Sequence, residues 1–301
     1  MKERVAILLS SYNGEKYIAE QIDSLIKQTY PNIEIFVRDD GSSDNTLDIL
    51  RKYESKKQIT LLMGDNLGFI GSFFELLKYS PNADYYAWCD QDDVWVDNKI
   101  ELAIDKLSNL DKTASALYFS DYDYYDSDMN FQKTKSYSKT PSFRNSLFDC
   151  TALGITVVFN KCLRDIIAEN IPEYSCGHDW WAYLLCNAIG TVVHDPVSTV
   201  KYRQHSDAVS GSGISFVKFM LWRIKKFIVN DYFKNIRKQI KEFESLYSDR
   251  LSNDDLKLLK LFCSDKRSLK NVFKKMFYPA RFRERFVDEV MLRFVFLFGL
   301  L

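Results

Sequence analysis

Within the first 110 residues an apolar run repeatedly ends in a polar turn that leads into a helix-like stretch, and this repetition constrains the fold more than any other feature. Val5–Leu9 is a β-branched and leucine run that reads as a buried parallel strand, and Ile33–Val37, Ile59–Met63 and Tyr85–Cys89 read as the second, third and fourth strands. Tyr17–Gln28, Thr46–Tyr53, Ile70–Tyr79 and Lys99–Leu107 read as the helices that follow them. In the first helix Ile18, Ile22, Leu25 and Ile26 recur at helical spacing. Strands alternating with helices predict an α/β fold on a mostly parallel, doubly wound sheet. Such sheets bind ligands beyond the carboxyl ends of their strands. Polar clusters follow strands one, two and four here, so they are predicted to meet at one edge of the sheet.

Beyond residue 115 the pattern is mixed. Ala116–Ser120, Gly154–Phe159, Thr191–His194 and Thr199–Tyr202 read as strands, and Trp180–Asn187 as a helix. From Ser215 the chain is helical in pattern, basic and aromatic. The polar turn Ser206–Gly213 marks the expected boundary. This predicts a catalytic domain over 1–214, with halves at about 1–110 and 111–214, and a helical extension over 215–301. Formal net charge is zero, yet residues 215–301 carry 20 Lys+Arg against 10 Asp+Glu. The acidic remainder suits a divalent cation, and the basic tail suits an anionic membrane surface or a lipid-linked diphosphate. The six cysteines form no CxxC pair and read as buried, reduced thiols. No leader-like stretch precedes the first strand, and no run reaches the roughly 18 apolar residues of a membrane span. The expected location is the cytoplasm.

Four clusters carry chemistry. Asp90-Gln91-Asp92-Asp93 closes the fourth strand. Acids there can cap the next helix, as Asp97 or Asn98 can. Three acids within four residues repel one another unless a cation sits among them. Hard carboxylate oxygens suit Mn²⁺ or Mg²⁺, which would neutralise a departing diphosphate. Asp39-Asp40-Gly41-Ser42-Ser43-Asp44 closes the second strand, where Ser43 or Asp44 can serve as an N-cap. A carboxylate here can also accept the imide N–H of uracil or thymine, with Tyr12 covering the base and Ser10 contacting it from the backbone side. In Cys176-Gly177-His178-Asp179-Trp180-Trp181, Asp179 opens a helix beside aromatics and reads as an N-cap or as a general base. In Tyr202-Arg203-Gln204-His205, Arg203 could pair with phosphate oxygens, and His205 could ligate the metal or touch the diphosphate.

Together, Ser10-Ser11-Tyr12-Asn13-Gly14, Asp39-Asp40-Gly41-Ser42, Asp90-Gln91-Asp92-Asp93-Val94-Trp95 and His178-Asp179-Trp180-Trp181 resemble the family 2 glycosyltransferases of the GT-A fold, over about residues 4–210. The strings DQDDVW, HDWW and YRQH are similar to bacterial rhamnosyltransferases that build rhamnan, capsule or O-antigen. The resemblance implies an inverting single displacement from a nucleotide-sugar donor, dTDP-rhamnose or a UDP-sugar, to a glycan or polyprenyl-linked acceptor. It implies metal roles for Asp90 and Asp92, with Asp92 the direct ligand. It implies base recognition by Tyr12 and Asp40, a contact of Asp93 with the donor sugar or the acceptor, and the role of catalytic base for Asp179; Ser10 and Gln91 join the expected nucleotide-sugar contacts. His178 stands where many relatives carry Glu, and Thr151–Asn160 is less polar than in many.

Two rivals remain. A nucleotidyltransferase would carry a Gly-rich, basic loop after strand one, and Ser10–Glu15 is not one. A non-catalytic nucleotide-sugar-binding scaffold would not need the full acid set. The basic tail predicts peripheral attachment to the inner face of the membrane rather than nucleic-acid binding. Packing on the catalytic domain or a homodimer contact are the tail's alternative uses.

Overall fold

The computed structural model describes residues 2–137, 141–204, 232–264 and 268–298. The chain divides into two compact units. One comprises Met1–Tyr137, Ala152–Ile171 and Gly190–Ser206, and the other Ser138–Thr151, Pro172–Ile189 and Asp207–Leu301. The expected boundary at 214/215 falls outside the described residues.

The first unit is α/β. β1 (Val5–Ser11), β2 (Ile33–Asp39) and β3 (Thr60–Met63) are followed by α1 (Ile18–Ile26), α2 (Thr46–Ser55) and α3 (Gly68–Tyr79). β4 (Tyr85–Cys89) is followed by the two-residue β5 (Val94–Trp95) and α4 (Lys99–Leu107). β6 (Ala116–Tyr125), β7 (Phe131–Lys135), β8 (Val158–Asn160) and β9 (Thr191–Arg203) complete the sheet. Its order is β3-β2-β1-β4-β8-β6-β9-β5, with β7 on β6. β1 pairs in parallel with β2 and β4, β2 with β3, and β6 with β9, while β8, β7 and β5 run antiparallel to their neighbours. Val5, Ala6, Ile7, Leu8 and Leu9 are wholly buried, as a central strand covered on both faces must be. Ile18, Ile22 and Leu25 of α1, Leu50 of α2, and Ile100 and Ile104 of α4 pack in one core with strand residues such as Ile7, Val37 and Tyr118.

Two expected elements differ. Gly154–Phe159 is a 3₁₀ turn at Gly154–Thr156 and then a short β8. Thr191–His194 and Thr199–Tyr202 are parts of one strand, whose pairing with β6 shifts register near Asp121. The shift accommodates Pro196, which cannot donate to a ladder.

β5 pairs with β9, although β8, β6 and β9 lie between β4 and β5 in the sheet order. Flat strands about 4.8 Å apart would separate β4 from β5 by about 19 Å. The five steps from Cys89 to Val94 reach at most about 18 Å fully extended. The sheet must therefore curl, and the acidic loop closes its mouth.

The second unit is helical: α5 (Phe143–Ser146), α7 (His178–Ile189), α8 (Tyr232–Tyr247), α9 (Asn253–Cys263), α10 (Leu269–Met276) and α11 (Phe286–Leu297). The remaining helix, α6 (Lys161–Glu169), belongs to the first unit. Aromatics build the core of the helical unit. Trp181 packs on Phe243 and Tyr247, and Phe148, Phe262, Phe282 and Phe296 pack on one another edge to face or tilted. All six cysteines are free thiols.

Candidate active site

The turns after β1 and β2 are laced together by side chains. Asn13 has a left-handed backbone, φ 47°. Its amide donates to Ser42 Oγ at 2.9 Å, and its own Oδ1 accepts from the Ser43 amide at 2.8 Å. The Gly14 amide donates to Thr46 Oγ1 at 2.7 Å. Asp39 accepts from the Ser42 amide and hydroxyl at 2.9 and 2.6 Å. Asp39 is thus bound up in shaping the turn.

Asp40 is buried beside the Arg38 guanidinium, which forms an ion pair with its Oδ1. The same oxygen accepts from the Leu67 amide at 2.9 Å. Arg38 also donates to Ser72 Oγ at 3.0 Å, and Ser72 meets Ser10 Oγ at 2.6 Å. Ser10 and Asp40 therefore sit in one hydrogen-bonded chain. Tyr12 stands at the mouth, 46% exposed, with its ring available to a planar ligand.

Gln91 ties the acidic loop to β1. Its Oε1 accepts from the Tyr12 amide, and its Nε2 donates to the Tyr12 carbonyl, both at 2.9 Å. The pair mimics two rungs of a sheet ladder. A Cβ at Gly14 would lie 2.2 Å from Gln91 Oε1, so a larger residue there would push the Gln91 amide away from Tyr12.

Asp90, Asp92 and Asp93 each offer a carboxylate oxygen within 4.8 Å of the others. Asp93 is fully buried. Its Oδ1 accepts from the Arg203 amide at 3.0 Å, and its Oδ2 has no hydrogen-bond partner. Burial, with the charges of Asp92 and Asp90, pushes its carboxyl well above the usual range. Lys99, also fully buried, lies over the Trp95 ring at 4.5 Å. Burial pulls its ammonium down to about 7, against the opposing effects of Cys89 and Asp93.

Arg203 holds this loop in place. Its Nε donates to the Asp92 carbonyl at 2.9 Å and its Nη1 to the Ser127 carbonyl at 3.1 Å. Its Nη2 pairs with Glu20, and the guanidinium lies 4.6 Å from the Tyr17 ring centre. It binds the main chain of Asp92 and leaves that carboxylate to other partners.

Asp179 belongs to the second unit, in the first turn of α7. Its Oδ1 accepts from the Trp180 amide at 2.7 Å, next to the positive end of the helix. Trp180 and Trp181 are buried, and Trp180 Nε1 donates to the Ser146 carbonyl at 2.6 Å. His205 lies outside the described residues.

His178 precedes Asp179 and is buried. Desolvation depresses its pKa from 6.5 to about 3. The folded state then refuses a proton that the unfolded chain accepts. Stability is complete above pH 6.5 and falls as pH drops toward 3, by about 1.4 kcal/mol per unit. Denaturant unfolding at pH 7 and pH 5 is expected to show this slope, and His178→Gln is expected to flatten it. Equal slopes in the two proteins would assign the acid sensitivity elsewhere.

Arg38, Glu20 and Lys99 escaped the sequence reading. Arg38 had a signal: it lies two residues before Asp40 near a strand end, hence on the same face. Glu20 and Lys99 had none, because each acts through a contact distant in sequence or through burial. A further pair, Asp121 and His194, meets at 2.7 Å between β6 and β9, under the Phe119 ring.

A sequence model described as glycosyl transferase family 2 matches residues 6–171. The chain belongs to this family. It is 33% identical over 221 residues to the dTDP-rhamnosyl transferase RfbG of Shigella flexneri, covering 69% of this chain and 75% of that protein. It is 29% identical over 232 residues to the E. coli UDP-Glc:alpha-D-GlcNAc-diphosphoundecaprenol beta-1,3-glucosyltransferase WfgD, covering 77% and 87%. Among solved structures, S. aureus TarS in complex with UDP-GlcNAc superposes with TM-score 0.54 at 16% identity, over 98% of this chain and 92% of that one. Pyrobaculum calidifontis mannosyltransferase PcManGT, in complex with GDP-Man and Mn²⁺, gives TM-score 0.50 at 14% identity, over 86% and 79%. These neighbours share the GT-A fold. The family 2 chain is a glycosyltransferase, and its motifs fall on β1, β2, the β4–β5 loop and α7.

Proposed function

We propose that the protein transfers rhamnose from dTDP-rhamnose, with inversion, to a glycan or polyprenyl-linked acceptor in cell-surface polysaccharide synthesis. The S. flexneri relative's name supports this donor. The E. coli relative's name supports a UDP-hexose as the second reading, and its acceptor supports a diphosphate-linked lipid. The observation that carries the reading is the carboxylate cluster of Asp90, Asp92 and Asp93.

The cluster fits a divalent cation. Its oxygens are hard, they converge within 4.8 Å, and the buried Asp93 Oδ2 lacks a hydrogen-bond partner. Asp92, Asp90 and His205 would hold Mn²⁺ or Mg²⁺, which would offset the charge of the departing nucleoside diphosphate. Tyr12 stacks on the base, Asp40 accepts its imide N–H, and Ser10 contacts it. Gln91 and Arg203 keep the acidic loop at the mouth. Asp93, beside the two metal-binding acids, is assigned to the donor sugar or the acceptor. Asp179 takes the proton from the acceptor hydroxyl as that oxygen forms its bond to the anomeric carbon. The bond to the diphosphate breaks with its electron pair leaving on phosphate oxygen, and the configuration inverts. The basic tail supports work at the inner face of the membrane, where a lipid-linked acceptor resides.

Nucleotide release is the test, across dTDP-rhamnose and the common UDP-sugars, with Mn²⁺, Mg²⁺ or EDTA. Release from dTDP-rhamnose that EDTA abolishes is expected. Release from a UDP-sugar alone would replace the donor. Absence of both release and nucleotide binding would favour the non-catalytic scaffold.

A further inference from the structure

The last two helices of the second unit expose far more apolar surface than a solvated helix does. On α10, Leu269, Phe273 and Phe277 recur every four residues and are 79%, 55% and 67% exposed. On α11, Phe286, Val290 and Phe294 recur at the same spacing, 67%, 38% and 56% exposed, and Phe298 continues the row. Four-residue spacing places each set on one face of its helix. Burial of the aromatic core requires none of these side chains. The opposite side of α11, through Leu292 and Phe296, supplies that packing.

The two helices are locked together. Arg293 of α11 donates to the carbonyls of Lys275, Met276 and Tyr278 at 3.0, 2.9 and 3.1 Å, and to that of Ala280 at 2.8 Å. It thereby caps the end of α10, whose last carbonyls would otherwise need water. Its other face pairs with Glu289, which also accepts from the Phe282 and Arg283 amides at 2.8 Å each. The exposed rows are therefore held in a fixed arrangement.

The exposed charges around them are basic, while Glu284 and Asp288 are half-buried and Glu289 is buried. Among residues 268–298, Lys270, Lys274, Arg281 and Arg285 are exposed, and no acidic side chain is. Arg281 lies over the Phe286 ring at 5.7 Å, joining the cationic rim to the apolar face. Neither helix can cross a bilayer: among the described residues no helix is long and apolar enough. Short helices with an aromatic face and a Lys/Arg rim lie in the plane of a membrane interface.

We infer that α10 and α11 form a rigid docking surface for an anionic lipid bilayer, with the phenylalanines entering the headgroup layer and the rim meeting lipid phosphates. The argument for this occupant is charge complementarity. A second copy of the chain on a two-fold axis would bring two basic rims together. Residues 215–230 of the same chain carry four basic side chains and no acid, so they would repel the rim as well. The use of the surface rests on the proposed lipid-linked acceptor, but its existence does not.

The test is co-flotation of the full chain with phosphatidylcholine vesicles, with and without phosphatidylglycerol, together with nucleotide release in the same preparations. Wild type is expected to float only with the anionic vesicles, less so at high salt. F273S/F294S and K270E/K274E/R285E are each expected to weaken that binding about tenfold or more. Both are expected to keep wild-type nucleotide release and melting temperature, since these side chains are exposed. Equal flotation of wild type and either variant, or no flotation of wild type, would overturn the inference. So would a dimer, seen by sedimentation without vesicles, that F273S/F294S disperses. Normal flotation with no transfer to any lipid-linked acceptor would instead sink the acceptor assignment and leave the surface standing.

Discussion

Asp92→Asn is expected to lower sugar transfer by about 1000-fold or more, some 4 kcal/mol of transition-state stabilisation. The substitution removes a charge and leaves the shape. Arg203 grips the Asp92 carbonyl rather than its carboxylate, so the loop keeps its anchor. Gln91 continues to tie the same loop to Tyr12. The Asp93 carboxylate keeps the Arg203 amide. Melting temperature should therefore stay near wild type while metal-dependent donor binding is lost. Transfer rates and donor affinity measured across a Mn²⁺ series check this. Wild-type turnover that remains sensitive to EDTA would move the metal to other ligands. Lost turnover with an unfolded protein would be uninformative, and the retained anchors make that outcome unexpected.

Asp179→Asn separates the two halves of the proposed reaction. It is expected to cost about 10²–10⁴-fold in transfer, the usual worth of a positioned general base. Donor affinity and metal dependence are expected to remain, since those functions are proposed for residues of the first unit. Asparagine preserves the acceptor oxygen that receives the Trp180 amide, so α7 should start where it does now. The measurement is transfer rate beside donor affinity for the two proteins. Unchanged turnover would show that another group takes the acceptor proton. Loss of donor binding in step with turnover would recast Asp179 as a donor-binding residue.

Much of the first unit was legible in the chain. The four strand runs and their helices were read to within a few residues, because continuous apolar runs and period-3.6 patterns are local and strong there, although β3 is half-exposed rather than buried, with Met63 at the surface. The strand-end clusters were likewise visible, since a doubly wound sheet brings the ends of β1, β2 and β4 together by construction. Later elements were less legible. Gly154–Phe159 reads as one apolar run, yet only Val158–Asn160 pairs in the sheet. The strand Thr191–Arg203 contains Pro196, which the local pattern treats as a break and the long β6 ladder tolerates.

The sequence by itself determined the family, the α/β alternation and the acids available to the site, because each is written in contiguous residues. Only the tertiary structure decided what those residues touch. Arg203, read from the chain as a phosphate partner, is tied to the acidic loop 110 residues earlier and to Glu20 of α1. Asp40, read from the chain as an acceptor for a base imide, shares a buried ion pair and an amide from the loop after β3. The tail read as a basic, amphipathic helical extension, and packing sorted its aromatics into a buried core and an exposed face. The reason is the same in each case: hydrogen bonds and burial depend on partners that the curled sheet and the packed helices bring together from afar, and local pattern carries no record of them.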